Sequence, residues 1–183
     1  MNRDALYPYL VRGPVGSEWK ALCLPVGHGL FAQLFEDAST AIVPVSAEQL
    51  REANLTAEEA HRIALDNLVR FADDSPGLSI QVLGNPGDPI HFLLYSDHPR
   101  ASACLRLPDL YEHAIEVLQE KELCACVPQR DSLVIFPKRD RAYRGMLVAK
   151  LHRIEADASF PLGFELFELA PGEVNPFIES DSK

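Results

Sequence analysis

The stretch CACVPQRDSLVIF, residues 124–136, decides the fold because it joins two apolar runs through a short polar segment. The two runs predict β-strands at residues 123–127 and 132–137. Successive side chains on a strand point to opposite faces, so Cys124 and Cys126 share one face and their neighbours share the other. Both faces are apolar, which is typical of strands covered on both sides. The stretch therefore predicts a buried β-hairpin.

The polar segment between these strands predicts the turn of the hairpin. Pro128 cannot donate a backbone hydrogen bond, so strand pairing is expected to stop there. Gln129, Arg130 and Asp131 then form the turn, in which Asp131 has a side chain suited to capping backbone amides. Arg130 and Asp131 are candidate functional or partner-binding residues because they carry the polar groups of this hairpin.

The four cysteines are expected to pack in the core of the protein and not to form a metal or redox site. Cys124 and Cys126 are two residues apart on a strand, about 6–7 Å along it, and a bond between them would distort the backbone. A structural zinc site takes four ligands, and no second Cys or Cys-His pair has zinc-finger spacing. We therefore expect small buried hydrophobic side chains, no metal site and no cofactor.

Strand pairs alternate with helices along the whole chain. Strands are predicted at residues 29–37, 40–46, 78–84, 90–96, 123–127, 132–137 and 161–169, with a turn at 37–39 between the first two. Helices are predicted at residues 47–53, 56–72, 108–121 and 139–156, and Thr56 with Glu59 forms a capping box that begins the second of them. The pattern predicts an α+β fold: a single domain with a largely antiparallel sheet of strand pairs and three to four packed helices.

Length and composition set the expected domain organisation. The chain has 183 residues, of which 47% are hydrophobic and 24% charged, as in an ordinary globular domain. We expect an N-terminal arm or short helix at residues 1–20, one α+β domain at 21–172 and a polar tail at 173–183. No apolar run approaches the ~20 residues that span a bilayer, and the N-terminus lacks a signal-peptide core. A cytoplasmic location without membrane contact is the expectation.

The charge of the chain argues against one class of partner. The formal net charge is −10, from 17 basic and 27 acidic side chains. Nucleic-acid binding depends on neutralising phosphates, so we expect no nucleic-acid partner. Residues 121–153 carry +5, which leaves −15 on the remainder. This asymmetry is typical of a solvated helix surface; alternatively, it provides an acidic face that attracts a basic protein.

Two further polar residues are candidate functional or partner-binding residues. Asn67 falls in the apolar stripe of the helix at 56–72, so it should face the core, where a buried amide needs hydrogen-bond partners. The other residues of the stripe are Ala60, Ile63, Ala64, Leu68 and Phe71. Bonding to backbone groups at a strand end or loop is the favoured interpretation, and a ligand-binding amide is the alternative. His28 lies between two glycines in PVGHGL, residues 25–30, where a turn is favoured over a catalytic base.

Three stretches in order carry a resemblance to a known family. They are residues 24–68, LPVGHGLFAQLFEDASTAIVPVSAEQLREANLTAEEAHRIALDNL; residues 100–112, RASACLRLPDLYE; and residues 125–136, ACVPQRDSLVIF. Together they resemble the YtpQ-like family of uncharacterised bacterial proteins over roughly residues 22–170. The resemblance implies that family's fold and a bacterial cytosolic setting, and it implies no catalytic residues.

Two hypotheses about function follow from the sequence. The favoured one is a non-enzymatic protein-binding domain, an acidic immunity-type inhibitor that masks a basic bacterial toxin or enzyme. The alternative is a small enzyme or metabolite-binding domain that uses a pocket near Asn67, His28 and the turn at Arg130 and Asp131. The sequence contains no nucleotide-binding loop and no nucleophile motif that would favour a particular reaction.

Overall fold

The computed structural model describes residues 1–13, 22–38, 41–74, 77–88, 90–154 and 159–179. The chain divides into two compact units, residues 1–76 and 77–183. Each unit contains an antiparallel sheet, so the predicted α+β class and antiparallel pairing are confirmed. The assignment of residues 21–172 to one domain stays a prediction.

The first unit is a small sheet with two helices. Its elements are β1 (Leu6–Arg12), β2 (Cys23–Gly27), β3 (Leu30–Ala38), β4 (Ala41–Pro44), α1 (Ala47–Glu52) and α2 (Ala57–Asp74). The strand order is β1-β3-β2, with β4 also paired to β3. β3 and β4 match the predicted strand pair. The turn predicted at 37–39 differs, because residues 37 and 38 belong to β3; Ser39 lies outside the described residues.

Two capping boxes determine where the helices of this unit begin. Before α1, the Ser46 hydroxyl accepts from the Gln49 amide at 3.1 Å and the Gln49 side chain accepts from the Ser46 amide at 2.8 Å. Before α2, Glu59 and Thr56 make the same exchange at 2.8 and 3.2 Å, as the sequence predicted. Each box satisfies amides that a helix start leaves unpaired.

The predicted apolar stripe of α2 covers one face of the sheet. The side chains that form this core with α1 and the strands are Leu6, Leu22, Leu34, Val45, Leu50, Ala60 and Ala64. Burying these side chains offsets the conformational entropy that the helices and strands lose on folding.

The N-terminal segment differs from its prediction. It was predicted as an arm or short helix at residues 1–20, but β1 pairs with β3 along its whole length. β1 contains Pro8, which has no backbone N–H group to donate. The strand tolerates it because β1 lies at a sheet edge, where the backbone of Pro8 need not donate a hydrogen bond to a neighbouring strand. Pro25 of β2 and Pro44 of β4 also lie on strands that, within the described residues, pair only with β3. Residues 14–20 of the predicted arm lie outside the described residues.

The second unit is built on a larger sheet. Its elements are β5 (Ser79–Leu83), β6 (Phe92–Ser96), α3 (Leu110–Leu118), β7 (Leu123–Cys126), β8 (Leu133–Pro137), α4 (Arg141–Ile154), β9 (Leu166–Ala170) and β10 (Glu173–Pro176), with a 3-10 helix at Ser102–Arg106. The strand order is β10-β9-β7-β8-β6-β5. The predicted hairpin β7–β8 therefore occupies the centre of the sheet.

Both faces of this hairpin are covered, as the alternation predicted. Cys124, Cys126 and Phe136 pack with Leu147 and Leu151 of α4 on one face. On the other face, α3 and the 3-10 helix pack against β8. All four cysteines are buried. Their expected burial in the core is confirmed.

The C-terminal part of the chain departs from its prediction in two ways. The strand predicted at 161–169 as an edge or terminal strand is β9, which lies between β7 and β10. The tail predicted from residue 173 contains β10, paired with β9 through an exposed turn. The polar composition of this segment suits a strand at a sheet edge, which is why it resembled a tail. Residues 155–156 of the predicted helix at 139–156 lie outside the described residues, as do 180–183.

In the described part of the chain, no helix combines the length and the apolar character that crossing a membrane requires.

Candidate functional site

Asn67 joins the N-terminal segment to α2 through its buried amide. The Asn67 Nδ2 atom donates to the carbonyl oxygens of Arg3 and Leu6, each at 2.8 Å. Its Oδ1 atom accepts from the Arg70 guanidinium. The side chain is 3% exposed. The favoured interpretation, that Asn67 satisfies backbone groups at a strand end, is confirmed by these bonds at the start of β1.

A cleft of about 270 Å³ lies beside Asn67 in the first unit. Its lining combines two carboxylates with two aromatic rings; the residues are Asp4, Tyr7, Asn67, Arg70, Phe71 and Asp74. Tyr7 and Phe71 make an edge-to-face contact, with 6.3 Å between ring centroids. We call this feature the Asn67 cleft.

The chemistry of the Asn67 cleft suits a cation. Carboxylates accept charge-assisted hydrogen bonds, and aromatic faces attract cations. The lining also contains a basic group, Arg70, whose guanidinium donates to Asn67 in the same lining and to the Asp66 carbonyl oxygen at 3.4 Å. With two carboxylates and one guanidinium, the lining keeps a net charge of −1. A planar guanidinium can combine both kinds of contact.

The cleft lies at the end of a surface with excess negative charge. Seven exposed acidic side chains and three exposed basic ones lie on α1 and α2, which gives these helices a net charge of −4. The acidic residues are Glu48, Glu52, Glu58, Glu59, Asp66, Asp73 and Asp74; the basic ones are Arg51, Arg62 and Arg70. We call this set the acidic helix surface. Such a field attracts positively charged partners and raises their association rate.

His28 lies in the tight turn between β2 and β3, as predicted. Its φ of 50° is in the left-handed region, where histidine is tolerated better than most residues. The His28 carbonyl oxygen accepts from Arg12 Nη1 at 3.3 Å, and the neighbouring Gly29 carbonyl oxygen accepts from the Gly13 amide at 2.9 Å. These contacts fasten the turn to the end of β1.

Arg130 and Asp131 form the turn between β7 and β8, where the sequence placed them. The Arg130 guanidinium lies 3.8 Å above the Phe160 ring centroid, and the Arg130 carbonyl oxygen accepts from the Ser102 amide at 3.2 Å. Asp131 is exposed. The turn is closed by the Ser132 amide, which donates to the Gln129 carbonyl oxygen at 3.3 Å. A backbone oxygen thus accepts from a turn amide in the way expected of the Asp131 side chain.

The candidate residues do not converge on one pocket within the first unit. Asn67 binds backbone at the Leu6 end of β1, whereas His28 lies at the Arg12 end. A strand rises about 3.3 Å per residue, so these ends are about 20 Å apart. Arg130 and Asp131 belong to the second unit.

The buried thiols of Cys104 and Cys124 in the second unit are poor nucleophiles. Burial raises the pKa of Cys124 to about 11 and that of Cys104 to about 12. Reactive cysteines have the opposite shift, because the thiolate is the attacking form.

Sequence patterns indicated only part of the Asn67 cleft. Asn67 and Phe71 were on the predicted inner face of α2, and their burial followed from the helical period. Asp4 and Tyr7 gave no such signal, because they belong to the segment that resembled an arm. Asp74 is one of five acidic residues on the exposed face of α2, and composition alone cannot tell which of the five lines a cleft.

Comparison with known proteins gives no match to a family model, to a curated protein or to a solved structure. The relationship to the YtpQ-like family therefore stays a prediction.

Proposed function

We propose that this protein is a non-enzymatic protein-binding domain that docks a basic protein on its acidic helix surface. In this proposal it acts in the bacterial cytoplasm in the manner of an immunity protein, which masks a basic toxin or enzyme. The observation that carries the proposal is the Asn67 cleft, in which two carboxylates and two aromatic rings lie together at the end of that surface.

The two features have complementary roles in binding. The charge of −4 on α1 and α2 accelerates the encounter with a basic protein and depends on salt. The cleft supplies a local contact for one basic side chain of the partner, and arginine fits it best because a guanidinium both stacks and donates in pairs. A few such anchors typically dominate the binding energy of an interface.

An arginine peptide tests the cleft directly. We expect acetyl-Gly-Arg-Gly-amide to shift the amide resonances of Tyr7, Phe71 and Asp74 in the ¹⁵N-labelled chain. The same peptide with citrulline, which has the shape of arginine without its charge, should shift them little. Loss of both carboxylates in the variant Asp4→Asn/Asp74→Asn should weaken arginine-peptide binding about tenfold, since two exposed ion pairs together contribute about 1.4 kcal/mol.

A matched control separates the cleft from the general field. Asp66→Asn/Asp73→Asn also removes two negative charges, both of them on α2, but leaves the cleft lining unchanged. We expect it to weaken binding about twofold, through loss of long-range attraction alone. Equal shifts with the arginine and citrulline peptides, or equal losses in the two double variants, would contradict the assignment of the cleft.

A further inference from the structure

The beginning of α4 carries an unusual concentration of positive charge. Lys138, Arg139, Arg141 and Arg144 lie within seven residues, and the first turn of the helix contains no acidic residue. Asp140 caps the helix by accepting from the Tyr143 amide at 2.8 Å. A helix start already carries partial positive charge, so cations there destabilise the helix unless an anion lies nearby.

Three of these cations line a cavity of about 660 Å³ in the second unit. Lys138 Nζ and Arg144 Cζ lie 5.3 and 4.9 Å from the Phe177 ring centroid, so the ring forms one wall beside both charges. We call the side chains of Lys138, Arg141 and Arg144, together with this cavity, the basic pocket. Its volume lies within the range of about 300–1,000 Å³ that is usual for small-molecule sites.

Arg144 is held in place before any ligand arrives. Its Nη1 atom donates to the carbonyl oxygens of Lys138, at 2.9 Å, and Arg139. The side chain is only 12% exposed, and its buried Nε atom has no hydrogen-bond partner among the described residues. Arg144 is therefore a largely buried cation, fixed by the backbone, in the lining of the pocket.

Three carboxylates line the basic pocket together with its three cations: Asp140, Glu168 and Glu179. The one that contacts Arg141 and Arg144 is Glu179. Its Oε1 atom lies 3.1 Å from Arg144 Nη2, and its Oε2 atom lies 2.8 Å from Arg141 Nε. One carboxylate thus bridges two guanidiniums, as an oxygen pair of a phosphate group would. Lys138 is paired separately with Glu168 at 2.6 Å.

Glu179 is weakly fastened to the rest of the fold. The Phe177 amide donates to the Leu166 carbonyl oxygen at 2.9 Å, and beyond it Ile178 is 81% exposed. The contacts of Glu179 are with side chains on α4, and Arg141 is itself 78% exposed. The Arg141–Glu179 ion pair is exposed, so it contributes only about 0–1 kcal/mol. Arg144 is largely buried, and an external anion with more charge than one carboxylate can replace Glu179 beside it.

We propose that the basic pocket binds the phosphate group of a small phosphomonoester, and that Glu179 occupies the pocket when that ligand is absent. Arg141 and Arg144 bind the phosphate oxygens, and Lys138 and the Phe177 ring lie beside the rest of the ligand. This site is separate from the acidic helix surface, and it does not depend on the proposed docking of a basic protein.

Calorimetric titration of the full chain tests the site, with inorganic phosphate and phenyl phosphate as probes. Glu179→Gln removes the competing charge and should tighten binding of both probes about fivefold, as expected for loss of one exposed carboxylate that pairs with two cations. Adding Arg141→Gln to that variant should reverse the gain. Arg141 is exposed, so its replacement should leave the thermal unfolding midpoint unchanged.

Glu173→Gln is the matched control, because Glu173 is an exposed glutamate on the neighbouring strand β10 that does not line the pocket. It should leave both affinities at the wild-type value. Binding of inorganic phosphate without phenyl phosphate would overturn the assignment of a phosphomonoester. Equal affinities in the wild type and Glu179→Gln would overturn the role of Glu179. A fivefold gain that persists when Arg141→Gln is added to Glu179→Gln would overturn the site itself.

Discussion

Replacing Asn67 with leucine should destabilise the chain by about 2–4 kcal/mol. The substitution keeps the side-chain volume similar but removes both hydrogen bonds to the Arg3 and Leu6 carbonyl oxygens. A buried polar group without a partner costs about 1–3 kcal/mol, and Leu6 is fully buried. Urea unfolding followed by circular dichroism measures the change.

Two further measurements sharpen this result. Asp66→Asn changes the neighbouring exposed residue on the same helix, so its effect should stay within about 0.5 kcal/mol. Hydrogen exchange of the β1 amides that pair with β3 should accelerate in Asn67→Leu, because the start of β1 loses its attachment to α2. A loss of stability no larger than that of Asp66→Asn would contradict a structural role for the amide.

The second large effect concerns pH and His91. The His91 side chain is 1% exposed, and its Nδ1 atom has no hydrogen-bond partner among the described residues. Burial lowers the pKa of His91, and the nearby Arg139 guanidinium lowers it further, whereas Glu120 and Asp88 act in the opposite direction. Just below the ordinary histidine pKa, this imidazole is therefore neutral in the folded protein, whereas it is protonated in the unfolded chain.

The sign of the pH dependence follows from the lowered pKa. Between the ordinary histidine pKa, about 6.5, and the lower folded value, the unfolded chain binds more protons than the folded one. The contribution of His91 to stability is thus complete above about pH 6.5 and is lost as the pH falls below it. In His91→Leu the free energy of unfolding should decrease less between about pH 7 and pH 5.

His152 provides the control for this measurement, since it is an exposed histidine on α4. His152→Gln should retain the wild-type decrease in stability on acidification. If His91→Leu and the wild type lose the same free energy of unfolding over this pH range, His91 does not account for the acid sensitivity.

Local patterns in the sequence were sufficient for much of the fold. The alternation in residues 123–137 placed the cysteines on one covered face, and the Thr56–Glu59 pair located the start of α2. Both signals arise from interactions between residues close in sequence, which is why they can be interpreted without a structure. The burial of Asn67 followed from the same helical period.

Features that depend on distant residues were not predictable in this way. β1 contains Pro8, and only the observation that it lies at a sheet edge explains how a strand tolerates it. The Asn67 cleft joins Asp4 to Asp74, and the basic pocket joins Arg144 to Glu179. No local pattern records such pairs, because the fold of the whole unit brings them together.

The two proposed sites are expected to bind ligands of opposite charge, and they belong to different units of the chain. The Asn67 cleft belongs to residues 1–76 and the basic pocket to residues 77–183. Variants of one site should therefore leave binding at the other site unchanged. The arginine-peptide titration repeated on Glu179→Gln, and the phosphate titration repeated on Asp4→Asn/Asp74→Asn, supply these cross-controls.

The most direct test of the proposed function is affinity capture from a host lysate with three immobilised chains: wild type, Asp4→Asn/Asp74→Asn and Asp66→Asn/Asp73→Asn. We predict that one basic protein is retained by the wild type at low salt, less at physiological salt, and is lost from the cleft variant while the control variant keeps it. The purified partner should then bind the wild type about tenfold more tightly than the cleft variant. Retention of no basic protein at either salt concentration, or equal retention by the cleft variant and the wild type, would contradict the account.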